Sequence, residues 1–232
     1  MKKDIVENIL NETEAGYDLM AEKFSGTRNF FWPDLEFIKN HFQDGDRILD
    51  FGCGNGRLLE ILKDKKPEYF GADISQKLID LAKQRYSEFG ENFIKITGQA
   101  SLPFPDDFFN VVVSIAVFHH FPDKKFRLEM AKELFRVTKQ GGEIIITVWN
   151  LWQPKYRKYI FKNIFQKIIG QSRRDWLDCE IPFKNNKGEM FPRFHHVYTQ
   201  KELKEIFSQA GFEVLEVKVV NNKNLVLIGK KI

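Results

Sequence analysis

With 232 residues, of which 43% are hydrophobic and 29% charged, the chain is long enough for one soluble α/β domain, and no apolar run approaches the roughly 20 residues of a membrane span. Its two cysteines, Cys53 and Cys179, are too few for a disulfide framework or a cysteine-based zinc site, so we expect a reduced, cytoplasmic protein. The net charge is +4, but residues 151–187 alone carry nine Lys/Arg and three acids, a local +6, which suggests a polyanionic partner, the alternative being an ordinary solvated surface.

Two helical patterns come first, over residues 14–26 and over WPDLEFIKNHF. Strand and helix patterns then alternate at short spacing, which predicts a parallel, doubly wound sheet. The predicted strands are RILDFG, EYFGADI, NFIKIT, FNVVVSIAVF and EIIITVW, and the predicted helices are residues 56–64, SQKLIDLAKQRYSEF (N-capped by Ser75) and DKKFRLEMAKELFRVT.

The chain closes with a helix opened by Thr199 and with the strands EVLEVKVV and NLVLIGKKI, which read as an antiparallel hairpin. We predict a single domain in four segments. These are an N-terminal helical cap (1–45), a cofactor-binding core (46–150), a basic and aromatic insertion (151–195), and a C-terminal helix and hairpin (196–232).

The stretch ILDFGCGNG places a glycine-rich loop after the first strand. Its spacing is G-x-G-x-G, and Arg57 stands where a dinucleotide-binding loop has its third glycine, which disfavours a dehydrogenase. Asp50 immediately precedes the loop, where it would repel a pyrophosphate but attract a cation. Asp73, at the end of the second strand, can accept both hydroxyls of a ribose. A ligand with a cationic amino-acid end and a ribose is S-adenosylmethionine.

The motifs ILDFGCGNG, GADIS, GQASLPFPDDFFNVVVSIAVFHHF and ELFRVTKQGGEIIITVW resemble the class I S-adenosylmethionine-dependent methyltransferases. The resemblance implies a Rossmann-like, seven-stranded, mostly parallel sheet with helices on both faces. It also implies the cofactor contacts: Asp50, Gly52 and Gly54 at the methionine end, Asp73 and Ile74 at the ribose, Gln99 and Ala100 at the adenine, and Ser114 to Val117 on the far wall. Gln99 stands where the family often has Asp.

Three further segments, residues 17–38, 114–121 and 191–203, resemble the tRNA wobble-uridine carboxymethyl methyltransferases. The resemblance implies that a carboxymethyl group on the anticodon uridine of tRNA is esterified. It also implies a small zinc-binding activator subunit as a partner.

A carboxylate nucleophile is ionised at neutral pH, so it needs an orienting donor rather than a strong base. Arg193, His196 and Tyr198 are suitable donors, the alternative being that RFHHVY holds ordinary polar residues ahead of a helix cap. His119 and His120 follow the fourth strand, and one of them is expected to face the substrate. Their surroundings offer no carboxylate or cysteine at ligand spacing, so we predict no metal site.

Arg28 and Tyr17 are candidates for the cofactor's methionine end, the alternatives being a surface arginine and a core tyrosine. In the insertion, the i, i+4 stripe Ile160, Phe161, Ile164, Phe165, Ile168 and Ile169 is predicted to be core. The basic face is the candidate RNA surface, and its residues Lys158, Lys162 and Arg157 are expected largely on the other side of the helix.

Two other functions remain open at this point. One is a methyltransferase acting on a small molecule such as a quinone precursor or a carboxylic acid. The other is a non-catalytic module that binds the cofactor or RNA.

Overall fold

The computed structural model describes residues 1–27, 30–184, 188 and 190–232. The strands among these residues are β1 Arg47–Phe51, β2 Glu68–Asp73, β3 Phe93–Lys95, β4 Phe109–Ile115, β5 Thr138–Trp149, β6 Asp178–Lys184, β7 Met190–His196, β8 Glu213–Val220 and β9 Asn224–Lys230. Seven of them form one sheet with the order β3-β2-β1-β4-β5-β9-β8, and β6 and β7 form a separate two-stranded sheet.

The α-helices are α1 Lys3–Thr27, α2 Gln76–Arg85, α3 Lys124–Val137, α4 Pro154–Ile168 and α5 Gln200–Ala210. Short 3-10 helices span Pro33–His41, Arg57–Ile61, Lys63–Lys65, Ser87–Asn92 and Phe118–His120. The predicted N-caps are confirmed, because Ser75 Oγ accepts from Leu78 N–H and Thr199 Oγ1 from Glu202 N–H.

The predicted Rossmann-like sheet is confirmed. Strands β1 to β5 are mutually parallel, and β9 is antiparallel to both β5 and β8, so the chain ends in the expected hairpin. The expected helix over residues 56–64 is instead a pair of 3-10 turns, because the glycine loop occupies much of the short connection between β1 and β2.

Two apolar clusters cover the two faces of the sheet. One contains Leu134 of α3 and Phe207 of α5, and the other contains Leu35, Leu58 and Ile79 from the helical segments on the opposite face. Because both faces are buried, β4 carries the continuous apolar run VVV. Among the described residues, no helix combines the length and apolar composition that crossing a bilayer requires.

The predicted core stripe of α4 is wrong for most of its members. Ile160 is buried, but Phe161, Phe165, Ile168 and Ile169 are 63%, 63%, 68% and 46% exposed. The buried residues of α4 are Ile160 and Asn163. Ile160 belongs to a small apolar cluster with Cys179 and Ile181 of β6.

Candidate functional site

A cavity opens at the carboxyl edge of the sheet, where β1 has its neighbours β2 and β4 on either side. It has an empty volume of about 1140 Å³, open solvent at its mouth included. Residues at the ends of four strands line it: Asp50 of β1, Asp73 of β2, Ile115 of β4 and Trp149 of β5. Ligands bind at this position in open α/β sheets.

The glycine loop forms one wall of the cavity. Gly52 and Gly54 have φ of +78° and +56°, values that L side chains rarely adopt. A Cβ at Gly52 would lie 2.1 Å from Val117 Cγ2. The glycines therefore let the loop backbone pass directly beside Val117, the second residue after β4, and beside Phe24 of α1.

Asp73 holds the loop in place. Its carboxylate oxygens accept from Gly54 N–H at 2.8 Å and from Ser75 N–H at 2.9 Å. Burial raises the pKa of Asp73 to about 6 despite these two backbone donors, so it is ionised at neutral pH. A carboxylate has about four acceptor positions, and two remain for a ligand's hydroxyls.

Asp50 is 3% exposed and accepts one hydrogen bond, from Tyr69 Oη at 2.8 Å. Burial raises its pKa to about 7. A cationic group bound beside Asp50 would compensate for this desolvation, since opposite charge favours the ionised carboxylate.

Helix α1 lies over the cavity and contributes Leu10, Thr13, Tyr17 and Phe24 to its lining. Asp18 ties this helix to the start of α2, because its Oδ1 accepts from Ser75 Oγ at 2.5 Å and from Lys77 N–H at 3.2 Å. The helical cap thus shields the ligand region from water.

Three buried histidines meet beyond the glycine loop, and their hydrogen bonds fix two tautomers. Nδ1 of His120 faces Phe194 O at 3.0 Å, and Nδ1 of His195 faces Arg193 O at 2.9 Å. A carbonyl only accepts, so both Nδ1 atoms carry protons and both Nε2 atoms are acceptors. Tyr17 Oη lies 2.8 Å from His120 Nε2 and therefore donates to it. Burial lowers the pKa of His120 to about 3, which keeps it neutral.

His119 completes this cluster, and ligand nitrogens of the three rings lie within 4.8 Å of one another. Its Nδ1 accepts from Trp149 N–H at 3.3 Å, which places the proton on Nε2. A protonated Nε2 cannot coordinate an ion, and the Arg193 guanidinium adds a positive charge nearby. The arrangement therefore fits packing better than a metal centre.

Arg193 is the most unusual charged group at the cavity. It is 6% exposed and lies over aromatic rings, with its Cζ 5.0 Å from the Trp149 centroid and 5.9 Å from that of Tyr17. Its Nη1 is 3.4 Å from Tyr17 Oη, and among the described residues its Nε has no hydrogen-bond partner. No carboxylate in the described ranges forms an ion pair with it. A buried cation without a counter-charge indicates an anionic ligand.

His196 and Tyr198 do not reach the cavity lining. Side chains alternate along β7, so Arg193 and His195 share one face and His196 has the other. His196 is held between two carboxylates, with Nδ1 2.8 Å from Asp178 Oδ1 and Nε2 2.9 Å from Glu202 Oε1. Tyr198 is fully buried and its hydroxyl donates to Phe118 O at 3.3 Å. His196 thus ties β7 to α5, and Tyr198 ties the residues after β7 to the 3-10 turn that follows β4.

Of the remaining site residues predicted from sequence, some line the cavity and others do not. Tyr17, Asp50, Gly52, Gly54, Asp73 and Ile74 line the cavity together with His120, whereas His119 lies behind it. Gln99 is exposed and lies with Ala100 in a separate surface depression, while Ile96, Thr97 and Gly98 line the cavity. Ser114 is a buried residue of β4 that does not line the cavity, and Arg28 lies outside the described residues.

Sequence reasoning missed Trp149 and Arg57 as part of the cavity lining. Trp149 is the last residue of β5, and the sheet-edge argument that selected Asp73 applies to it equally. Arg57 follows the glycine loop directly, and its guanidinium carbon lies 3.4 Å from the ring centroid of Trp32.

Comparison with known proteins places the chain in one family. A sequence model described as a methyltransferase domain matches residues 20–217. The tRNA (carboxymethyluridine(34)-5-O)-methyltransferase of Schizosaccharomyces pombe is 29% identical over 212 residues, which are 86% of this chain and 88% of that protein. The Arabidopsis thaliana protein of the same name is 33% identical over 154 residues, 62% of this chain. The aligned region spans only 36% of the Arabidopsis protein's length.

Solved structures share the fold. A SAM-dependent methyltransferase from Methanosarcina mazei superimposes with a TM-score of 0.70 at 27% identity, covering 88% of this chain and 99% of that one. A Haloferax volcanii methyltransferase in complex with its Trm112 activator gives a TM-score of 0.63 at 19% identity, covering 94% and 96% of the two chains.

Proposed function

Because this chain belongs to the methyltransferase-domain family, we propose that it transfers the methyl group of S-adenosylmethionine to the carboxylate of a carboxymethylated wobble uridine in tRNA. The single observation that carries the choice of acceptor is Arg193, a buried guanidinium at the cavity with no carboxylate partner among the described residues. A carboxylate substrate supplies that partner, and guanidinium–carboxylate pairs form two parallel hydrogen bonds.

The cavity fits the cofactor at each of its parts. Asp73 has two acceptor positions for the ribose hydroxyls, and the φ-positive loop of Gly52 and Gly54 leaves a strip of bare main chain beside it. Asp50 offers a buried negative charge to the cationic amino-acid end. Ile96 and Gly98 supply the wall beyond Asp73, where the adenine would lie.

The bound cofactor supplies a methyl group activated by a sulfonium. The residues of this chain have to align the acceptor and keep water out. Arg193 can hold both oxygens of the substrate carboxylate, and each oxygen then keeps a second lone pair with which it can attack the methyl carbon. Tyr17 and Trp149 line the same region, and His120 Nε2 holds the Tyr17 hydroxyl in place by accepting its hydrogen bond. The carboxylate is ionised at neutral pH, so no general base is required.

The buried Asp50 predicts a pH-dependent affinity for the cofactor. Its pKa of about 7 in the free protein means that it is largely protonated below pH 7, and only the ionised form attracts a cation. We expect affinity to rise from pH 6.5 to pH 8 and binding to release a proton. Calorimetry in buffers of different ionisation enthalpy measures both. The Asp50→Asn protein should release no proton at this site, and it controls for titration of the ligand's own amino group. Equal pH profiles for both proteins would contradict this role.

Incubation with methyl-labelled cofactor and total tRNA, followed by mass spectrometry of the nucleosides, tests the acceptor. We expect the label in the methyl ester of 5-carboxymethyluridine. Label found only in a small-molecule extract would favour a quinone precursor or carboxylic acid as substrate. Cofactor binding without any transfer would favour a non-catalytic module.

A small activator subunit is also part of the proposal. The support is the Haloferax volcanii methyltransferase of the same fold, which is in complex with the Trm112 activator. Assays should therefore be run with and without a co-expressed protein of that kind.

A further inference from the structure

The exposed side of α4 combines aromatic and basic residues on one surface. Phe161, Phe165 and Ile168 are 63%, 63% and 68% exposed. Successive residues of an α-helix are rotated by about 100° around its axis, so these three side chains lie within about 140° of the helix circumference. The same part of the circumference carries three exposed lysines. We call this surface the α4 face, and it consists of Lys155, Lys158, Phe161, Lys162, Phe165 and Ile168.

The charge of α4 has one sign. The helix PKYRKYIFKNIFQKI contains five Lys/Arg and no acid. Lys155 and Lys158 lie over the rings of the tyrosines that follow them, at 4.7 Å and 5.0 Å from the centroids. Within the described part of the chain, no carboxylate pairs with the three lysines of the α4 face. The surface is therefore complementary to a polyanion.

The α4 face begins beside the reactive end of the cavity. Tyr156, in the first turn of α4, stacks on Trp149 with ring centroids 6.3 Å apart and planes 21° apart. Trp149 lines the cavity and lies under the Arg193 guanidinium. At 1.5 Å per residue, Phe161 and Phe165 lie about 8 Å and about 14 Å farther along the helix than Tyr156.

We propose that the α4 face binds the unpaired nucleotides next to the methylated uridine, with Phe161 and Phe165 as stacking surfaces for bases and Lys158 and Lys162 as phosphate contacts. This inference rests on the proposed function and adds the surface that holds the RNA. Aromatic side chains interleaved with basic ones are the general way in which proteins bind single-stranded nucleic acid.

The arrangement of charges favours RNA over a lipid surface. A helix lying on a membrane keeps its cations on the face opposite its apolar residues. The opposite face of α4 is packed on the protein through Ile160 and Asn163, and the lysines stand among the phenylalanines. Inserting these rings into hydrocarbon would draw the neighbouring ammonium groups in with them, whereas both side-chain types can contact a nucleotide strand simultaneously.

Binding of a synthetic anticodon stem-loop RNA with 5-carboxymethyluridine at the wobble position tests the proposal, by fluorescence anisotropy over a series of salt concentrations. The double variant Phe161→Ala/Phe165→Ala is expected to raise Kd by roughly 10- to 100-fold without changing the salt slope. The double variant Lys158→Gln/Lys162→Gln is expected to lower the steepness of log K against log salt by about 1.4. Each of the two lost phosphate contacts contributes about 0.7 to that slope.

Matched controls are available on surfaces distant from α4 in the sequence. Leu215→Ala/Val219→Ala removes two side chains of β8 that are 54% and 41% exposed, and Lys201→Gln/Lys204→Gln removes two exposed charges of α5. Both controls should bind the RNA as the unaltered protein does. Equal Kd values for the phenylalanine variant and its control would overturn the proposal.

Activity on the free nucleoside 5-carboxymethyluridine separates this inference from the proposed function. The phenylalanine variant should methylate the nucleoside normally and the stem-loop more slowly. Failure of the unaltered protein on both substrates, with the activator subunit co-expressed, would contradict the proposed function. Normal methylation of the stem-loop by the phenylalanine variant would contradict only the α4 inference. The same conclusion would follow if that variant lost only its binding to phosphatidylserine vesicles, or only its self-association in light scattering.

Discussion

Replacing Arg193 by Met is expected to lower kcat/KM for carboxymethylated tRNA by about 100- to 1000-fold, while the Kd of S-adenosylmethionine changes by less than about threefold. Removing one partner of a buried, hydrogen-bonded charge pair costs roughly 2–5 kcal/mol, and each 1.36 kcal/mol is a tenfold change in rate. Met keeps most of the packing against Trp149 and Tyr17 but removes the charge. Single-turnover methylation and calorimetry measure the two quantities.

The stability of the same variant distinguishes a substrate contact from a structural role. In the ligand-free protein the Arg193 guanidinium is buried without a carboxylate among the described residues, so its removal should leave Tm unchanged or raise it. Arg127 is the matched control. It is 2% exposed, lies 3.4 Å from Glu202 Oε1 and donates to Phe121 O, so Arg127→Met should lower Tm. If Arg193→Met lowered Tm as much and weakened cofactor binding too, Arg193 would be a structural residue.

The features that sequence predicted best are those set by a single strand and the turn after it. An acid among the last two residues of a parallel strand has to lie near the carboxyl edge of the sheet, so the positions of Asp50 and Asp73 follow from the alternation of elements alone. The glycine loop between them follows for the same reason, because it directly continues β1.

Features that depend on contacts distant in sequence were not predictable. The pattern RFHHVY does not reveal which face of β7 turns to the cavity, and that face is chosen by the pairing of His196 with Asp178 and Glu202. The apolar periodicity of α4 likewise gives no indication of which side packs. Ile160 and Asn163 pack there because β6 lies on that side, and Phe161 and Phe165 remain exposed.

Replacing Asp73 by Ala is expected to weaken cofactor binding by at least about 100-fold, below detection in ordinary calorimetry. Two ribose hydroxyls lose a charged acceptor, and each such hydrogen bond is worth roughly 1.5–3 kcal/mol. The variant also frees Gly54 N–H and Ser75 N–H, which fix the glycine loop. Those two causes have to be separated, since loop collapse alone would also weaken binding.

A ligand lacking the ribose 2′-hydroxyl separates them through a double-mutant cycle. The unaltered protein should bind the 2′-deoxy analogue of S-adenosylhomocysteine about 10- to 100-fold more weakly than S-adenosylhomocysteine itself. The Asp73→Asn protein retains a side-chain acceptor for one loop N–H, and it should discriminate between the two ligands much less, because the charged partner of the hydroxyl is gone. Equal discrimination by both proteins would mean that Asp73 only supports the loop, and that another group binds the ribose.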